Sequence, residues 1–145
     1  MKALLQRVKS ASVEVNSKQV SSIDVGLLVF LGVEKTDTQS NATYLCQKIQ
    51  NLRIFEDENG KMNKSVKDIG GSILVVSQFT LAADTSRGNR PGFETAAKPQ
   101  EANELYNFFV EELSKDVNVK TGIFQADMQV SLINDGPATF MLEKR

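Results

Sequence analysis

The sequence predicts a single mixed α/β domain, a strand-rich sheet or barrel-like core carrying two main helices. Three observations lead there. The chain has 145 residues, about one domain's worth. Apolar and β-branched residues gather in runs over 3–15, 19–33, 72–79 and 117–133, the pattern of strands. Two further segments, around 38–52 and 99–113, space their apolar residues for helices.

Along the chain, Ala3 to Val15 reads as extended, and Asn16-Ser17-Lys18 is a plausible turn. Strand-like runs continue through Val20, Ile23, Val25, Leu27, Val29 and Leu31 to Val33. Asp37 or Thr38 can cap a helix whose face is Ala42, Leu45, Cys46, Ile49 and Leu52. Glu56 to Asn63 is polar, with Asn59-Gly60 as a turn. It is a poor calcium loop: setting Gly60 at the required glycine puts Phe55 and Val66 at the first and last ligand positions. Ser72 to Phe79 has the apolar, β-branched character of a central strand. Ala82 to Lys98 is a long polar loop, and loops of that length in small domains are more often functional than not. Pro99 can open a second helix with Ala102, Leu105, Tyr106, Phe109 and Leu113 on one face. Val117 to Phe124, Met128 to Ile133 and Phe140 to Leu142 read as closing strands.

Composition narrows the chemistry. There is no histidine, which excludes Ser-His-Asp and Cys-His catalysis, metalloprotease helices and zinc fingers. The single cysteine, Cys46, excludes an internal disulfide and sits among apolar helix positions, as a small buried hydrophobe does. A net charge of -1 argues against a general nucleic-acid binder, though not against a local basic patch that receives one RNA end. Arg7, Lys9, Lys61, Lys64, Lys67, Arg87, Arg90 and Lys98 are candidates for such a patch if folding gathers them; most are expected to be solvated surface. The longest apolar stretch, Val25 to Val33, is too short to span a bilayer, and no signal peptide is evident at the start. A soluble cytoplasmic protein without membrane or DNA partners is expected.

Two segments can carry chemistry. Ser77-Gln78-Phe79-Thr80 lies where an apolar strand gives way to the long polar loop, and ligands in α/β sheets sit at strand ends. Its side chains can position a substrate, and its backbone N–H groups can bind a developing oxyanion. Asn134-Asp135-Gly136-Pro137 reads as a turn or bulge between strands. A cis Gly136-Pro137 bond would present two carbonyl oxygens with almost no side chain around them, a narrow wedge for rejecting a substituent by sterics. On spacing alone, each segment is more readily a simple strand end or turn than a site.

At this point the motifs become specific. Ser77-Gln78-Phe79-Thr80-Leu81-Ala82-Ala83-Asp84 and Asn134-Asp135-Gly136-Pro137-Ala138-Thr139-Phe140 together resemble D-aminoacyl-tRNA deacylases, also called D-tyrosyl-tRNA deacylases. The similarity continues in Gln6-Arg7-Val8, Ala11-Ser12-Val13, Leu28 to Lys35, Gly60-Lys61-Met62-Asn63 and Ala126 to Ser131, so it covers essentially the whole chain in order. The resemblance implies a cytoplasmic homodimer without cofactor or metal. It would hydrolyse D-amino acids, and glycine mischarged on alanine tRNA, from the 3′ end of aminoacyl-tRNA. It implies that Gly136-Pro137 is cis and reaches into the partner subunit's site to reject L-amino acids, and that Ser77, Gln78, Phe79 and Thr80 form the pocket floor. Arg7 would brace the Gly-Pro loop, and Phe124 and Met128 would line the pocket for the terminal adenosine. Ala138 stands where many relatives have valine, a small change that should leave the wedge intact.

Two mechanisms compete. Thr80 Oγ can attack to form an acyl-enzyme, but a hydroxyl is a poor nucleophile without a base, and the motif holds none. Alternatively, the ribose 2′-OH of the terminal adenosine assists a water molecule while the backbone N–H of Phe79 or Thr80 holds the oxyanion. The second is favoured because it explains how a histidine-free chain suffices. Outside enzymes, an RNA-binding module would need a coherent basic face and stacking aromatics. A plain dimerising domain would make both motifs ordinary turns.

Overall fold

The computed structural model describes residues 1–145. Its organising strand is β1 (Lys2–Val15). One edge of β1 pairs antiparallel with β8 (Gln129–Glu143) over nearly its whole length. The other edge pairs first with β3 (Gly26–Gly32) and then with β2 (Lys18–Ile23). The expected turn at Asn16 and Ser17 is present, both residues with positive φ. The run expected from Gln19 to Val33 is split into β2 and β3 at Asp24-Val25.

β3 pairs in parallel with β6 (Ser72–Ser77), and β6 with β7 (Asn118–Thr121). A Cβ on Gly26 would stand 1.8 Å from the carbonyl oxygen of Ser72, so only glycine permits β3 and β6 to meet there. A small hairpin, β4 (Phe55–Glu56) and β5 (Met62–Lys64), turns through Gly60. The strands curl into a nearly closed, barrel-like sheet, with Gly122 beyond β7 packed against the Met128 side chain ahead of β8.

Both helices lie on one face. α1 (Gln39–Asn51) starts at Thr38, whose N–H donates to the Asn41 side-chain oxygen at 2.9 Å, the reciprocal arm of a capping box. α2 (Pro99–Ser114) opens on its proline, as the missing N–H allows. Ala42, Leu45, Cys46 and Ile49 of α1 and Ala102, Tyr106, Phe109 and Leu113 of α2 close over Ala3, Leu5, Leu27, Val29, Ile73 and Val75. A smaller core of Val8, Val13, Leu28, Leu74 and Val76 fills the opposite face. β6 is therefore buried on both sides, which is why Ile73 to Val76 reads as a continuous apolar run.

Three expectations need correction. The strand expected through Phe79 ends at Ser77; Gln78 N–H still reaches Leu31 O at 2.8 Å, but Phe79–Ala82 is a 3-10 turn. The strand expected over 117–124 is only Asn118–Thr121. Gly122 N–H makes one more bond, to Val75 O at 3.1 Å, and the chain then leaves through Gln125 at φ 63. The two strands expected on either side of 134–137 are one strand, β8, with a bulge. Gln6 faces Thr139 and Val8 faces Asn134, so residues 135–138 loop out opposite Arg7.

Candidate active site

The parallel pairing of β3 and β6 puts Ser77 at the sheet's carboxyl edge, opposite Leu31. The chain then tightens into the 3-10 turn, where Leu81 N–H returns to Gln78 O (3.2 Å) and Ala83 N–H to Thr80 O (3.1 Å). The N–H groups of Phe79 and Thr80 precede the first of these bonds and have no acceptor within the chain. They are two backbone donors at a strand end, the arrangement an oxyanion needs. Gly32 keeps this turn close: a Cβ there would stand 2.9 Å from Leu81 Cβ and 3.1 Å from Gln78 O.

Above this turn lies a cavity of about 620 Å³, mostly apolar. Ser77, Gln78 and Phe79 form one side of it, and Phe124 and Met128 another. Residues some fifty positions apart in sequence thus share one pocket. Thr80 does not line the cavity; it is exposed, and its hydroxyl accepts a hydrogen bond from the Gln78 side-chain amide. An amide cannot take up a proton at neutral pH, so this partner does not activate Thr80 as a nucleophile.

The third wall is α2, through Pro99, Ala102 and Tyr106. Tyr106 is the residue that sequence reasoning missed, having been counted only among the apolar residues of its helix. Its hydroxyl donates to Val75 O at 2.9 Å, and its ring lies 5.9 Å from that of Phe124. Burial pushes its pKa up to about 12, so it stays neutral as a wall and is no base. The signal available was a lone phenol on an apolar helix face, which must find a hydrogen-bond partner when buried. Asp127, also unremarked, is the one carboxylate that lines the cavity.

Arg7, Gly136 and Pro137 do not line the cavity; they form a second cluster on the β1–β8 pair. Arg7 is 6% exposed and has no carboxylate partner. Its Nε donates to Asp135 O at 2.9 Å and its Nη1 to Ile54 O at 2.6 Å. The Gly136-Pro137 bond is cis, and both residues are exposed. Asn134 closes the bulge: its side-chain oxygen accepts from Ala138 N–H at 2.7 Å, and its amide donates to Thr139 Oγ1 at 2.9 Å. A Cβ on Gly136 would meet Arg7 Nη2 at 2.9 Å.

The expected long loop is ordered by the sheet. Asp84 and Gly92 exchange backbone hydrogen bonds (2.8 and 2.9 Å), making residues 84–92 a small exposed hairpin. Lys35 N–H to Thr95 O and Ala97 N–H to Val33 O, both 3.0 Å, fasten its return. The Phe93 ring packs on Phe79 with centroids 5.0 Å apart. Cys46 is inert: burial first, and then the nearby Glu112 charge, push its thiol up to about 12. No group of three or more acidic, cysteine or histidine side chains gathers that could hold a metal ion, and no helix is long and apolar enough to cross a membrane.

This sequence matches the profile of a family described as D-Tyr-tRNA(Tyr) deacylase over residues 4–143. It is 55% identical to a D-aminoacyl-tRNA deacylase of Thermodesulfovibrio yellowstonii, across 100% of both chains. It is 58% identical to a D-aminoacyl-tRNA deacylase of Geotalea daltonii, over 99% of this chain and 96% of that one. Among solved structures it resembles one described as a c-Myc DNA unwinding element binding protein. The TM-score is 0.96 at 46% identity, covering 100% of this chain and 99% of the other.

Proposed function

The chain belongs to the D-Tyr-tRNA(Tyr) deacylase family, and from that premise we propose how its site works. It is a hydrolase that cleaves the ester of D-aminoacyl-tRNA, releasing free amino acid and tRNA, and it acts as a proofreader of translation in the cytoplasm. The observation that carries this reading is the cavity in which Ser77, Gln78 and Phe79 face Phe124 and Met128, in a chain that matches deacylases end to end.

In this reading Phe124 and Met128 hold the terminal adenosine against the apolar walls. The ester carbonyl lies over the 3-10 turn, where Phe79 and Thr80 N–H receive the developing oxyanion; one such donor is worth about 100- to 1000-fold in rate. The 2′-OH of the terminal ribose assists the attacking water. The bond from the Gln78 amide to Thr80 favours this route over an acyl-enzyme, because it leaves the hydroxyl without a base.

Chiral selection is assigned to exclusion. In a homodimer, the exposed Gly136-Pro137 bulge of one subunit enters the cavity of the other, held from behind by Arg7. The wedge leaves room for hydrogen on one side of the substrate Cα and none for a side chain. L-amino acids are rejected, and glycine mischarged on alanine tRNA is accepted together with D-amino acids. A chain of net charge -1 offers little bulk electrostatic attraction to a DNA duplex, so DNA is not part of this reading.

The test compares D-tyrosyl-, L-tyrosyl- and glycyl-tRNA by release of free amino acid. Turnover of the first and third only is expected. A D-tyrosyl-tRNA whose terminal ribose lacks the 2′-OH, with the 3′ ester kept, should be hydrolysed at least ten-fold more slowly; undiminished turnover would sink the substrate-assisted route.

A further inference from the structure

We propose that the 84–92 hairpin, through Arg87 and Arg90, binds phosphates of the unpaired tRNA strand just upstream of the terminal adenosine. Beside it, the Phe79–Phe93 pair offers a stacking face to a base of that strand. The inference rests on the deacylase reading and adds the part of the substrate that lies outside the cavity.

Other basic residues differ in their pairing, and Lys98, exposed and unpaired beside Pro99, stands at the foot of the same hairpin. Arg7 is buried on backbone carbonyls, and Lys64 pairs with Glu58 at 2.8 Å. Arg87 and Arg90 are exposed and have no ion-pair partner. Between Thr85 and Gly92 they are the only charges, a doubly positive tip on a chain of net charge -1. Asp84, at the foot, is occupied by hydrogen bonds from Ser86, which hold its carboxyl below the usual range. Glu94, beyond Phe93, is the other acid on this segment and lies outside the tip.

Position identifies the partner. One foot of the hairpin continues the 3-10 turn at the cavity floor, and the other returns through Ala97 and Pro99, which line the cavity. The hairpin thus rises from the rim of the cavity, and in this reading the strand upstream of the bound nucleotide runs along it. Phe79 and Phe93 are 58% and 36% exposed, so their packed rings leave an apolar face open beside the cavity. Cations interleaved with exposed aromatics suit single-stranded nucleic acid, with guanidinium groups on phosphates and rings on bases.

The test compares two substrates in the full-length protein: D-tyrosyl-tRNA, and the 3′ D-tyrosyl ester of adenosine, which has no phosphate. Two phosphate contacts on a single strand contribute a salt slope of about -1.4, or roughly seven-fold between 50 and 200 mM salt. The double variant Arg87→Ala/Arg90→Ala is expected to raise KM for D-tyrosyl-tRNA and to lose about that much salt dependence. Its kinetics on the adenosine ester should match the wild type, which also shows that the variant is folded. Arg87→Lys/Arg90→Lys should keep most of the salt slope. Equal effects of the alanine variant on both substrates, whether none or large, would overturn the inference while leaving the deacylase reading intact. A wild-type protein that hydrolysed neither substrate would overturn both.

Discussion

Arg7 holds the Gly136-Pro137 bulge from behind and does not itself line the cavity. It is 6% exposed and makes two charge-assisted hydrogen bonds, to Asp135 O and Ile54 O. Each is worth about 1.5–3 kcal/mol, and Arg7→Met would leave both carbonyls unpaired, the one on Ile54 in a buried site. The expected loss of stability is therefore about 3–5 kcal/mol, against a total of roughly 5–15 for a domain of this kind. Arg7→Lys keeps the charge, but one ammonium cannot replace both the Nε and Nη1 donors, so about half the loss should return. Urea unfolding followed by circular dichroism measures both. Hydrolysis of D- and L-tyrosyl-tRNA at a temperature where the variants remain folded then isolates positioning. Because the wedge acts by exclusion, a displaced bulge is expected to raise L-tyrosyl-tRNA hydrolysis relative to that of the D-substrate. If Arg7→Met stayed within 0.5 kcal/mol of wild type and kept full rejection of L-tyrosyl-tRNA, the bracing role would be wrong.

Other expectations follow from single contacts. Tyr106→Phe should cost about 1 kcal/mol at pH 7, since Val75 O keeps its bond from Gly122 N–H and is not orphaned. Because burial raises the Tyr106 pKa from 10.0 to about 12, wild-type stability from this group is complete below pH 10 and is lost as pH rises toward 12. At pH 11 that loss is about 1.4 kcal/mol, so wild type and Tyr106→Phe should converge in urea midpoint there; a constant gap from pH 7 to 11 would show that the phenol is not buried. Thr80→Ala should retain turnover within about ten-fold, and a loss near a million-fold would instead point to an acyl-enzyme. Gly136→Ala places a Cβ against Arg7 Nη2 at a φ of 138°. It should lower both stability, by about 1–3 kcal/mol, and D-tyrosyl-tRNA hydrolysis; unchanged values of both would refute the crowding.

Much of the architecture was legible because its signals are local. The caps and spacing of α1 and α2, the apolar run of β6 and the turn at Asn16-Ser17 depend on neighbours a few residues away. The absence of histidine is likewise a property of the sequence alone, and it leaves hydroxyls, carboxylates, lysines and backbone N–H groups as the available chemistry. Boundaries were less legible. Nothing local says that Phe79 leaves the sheet or that β8 runs on through Gly136, since both depend on the register of a distant partner strand.

The sequence by itself determined the chemistry available: hydroxyls, carboxamides and backbone N–H groups at 77–80, and a nearly side-chain-free Gly136-Pro137. Only the tertiary structure decided how these are grouped. Parallel pairing of β3 with β6 and β6 with β7 brings Phe124 and Met128 opposite Ser77, and adds Tyr106 as a wall. Antiparallel pairing of β1 with β8 sets Arg7 behind a bulge 128 residues away and leaves Gly136 and Pro137 facing outward, away from their own chain's cavity lining. The reason is physical: strand pairing joins residues by long-range hydrogen-bond register, which short-range pattern and propensity do not encode.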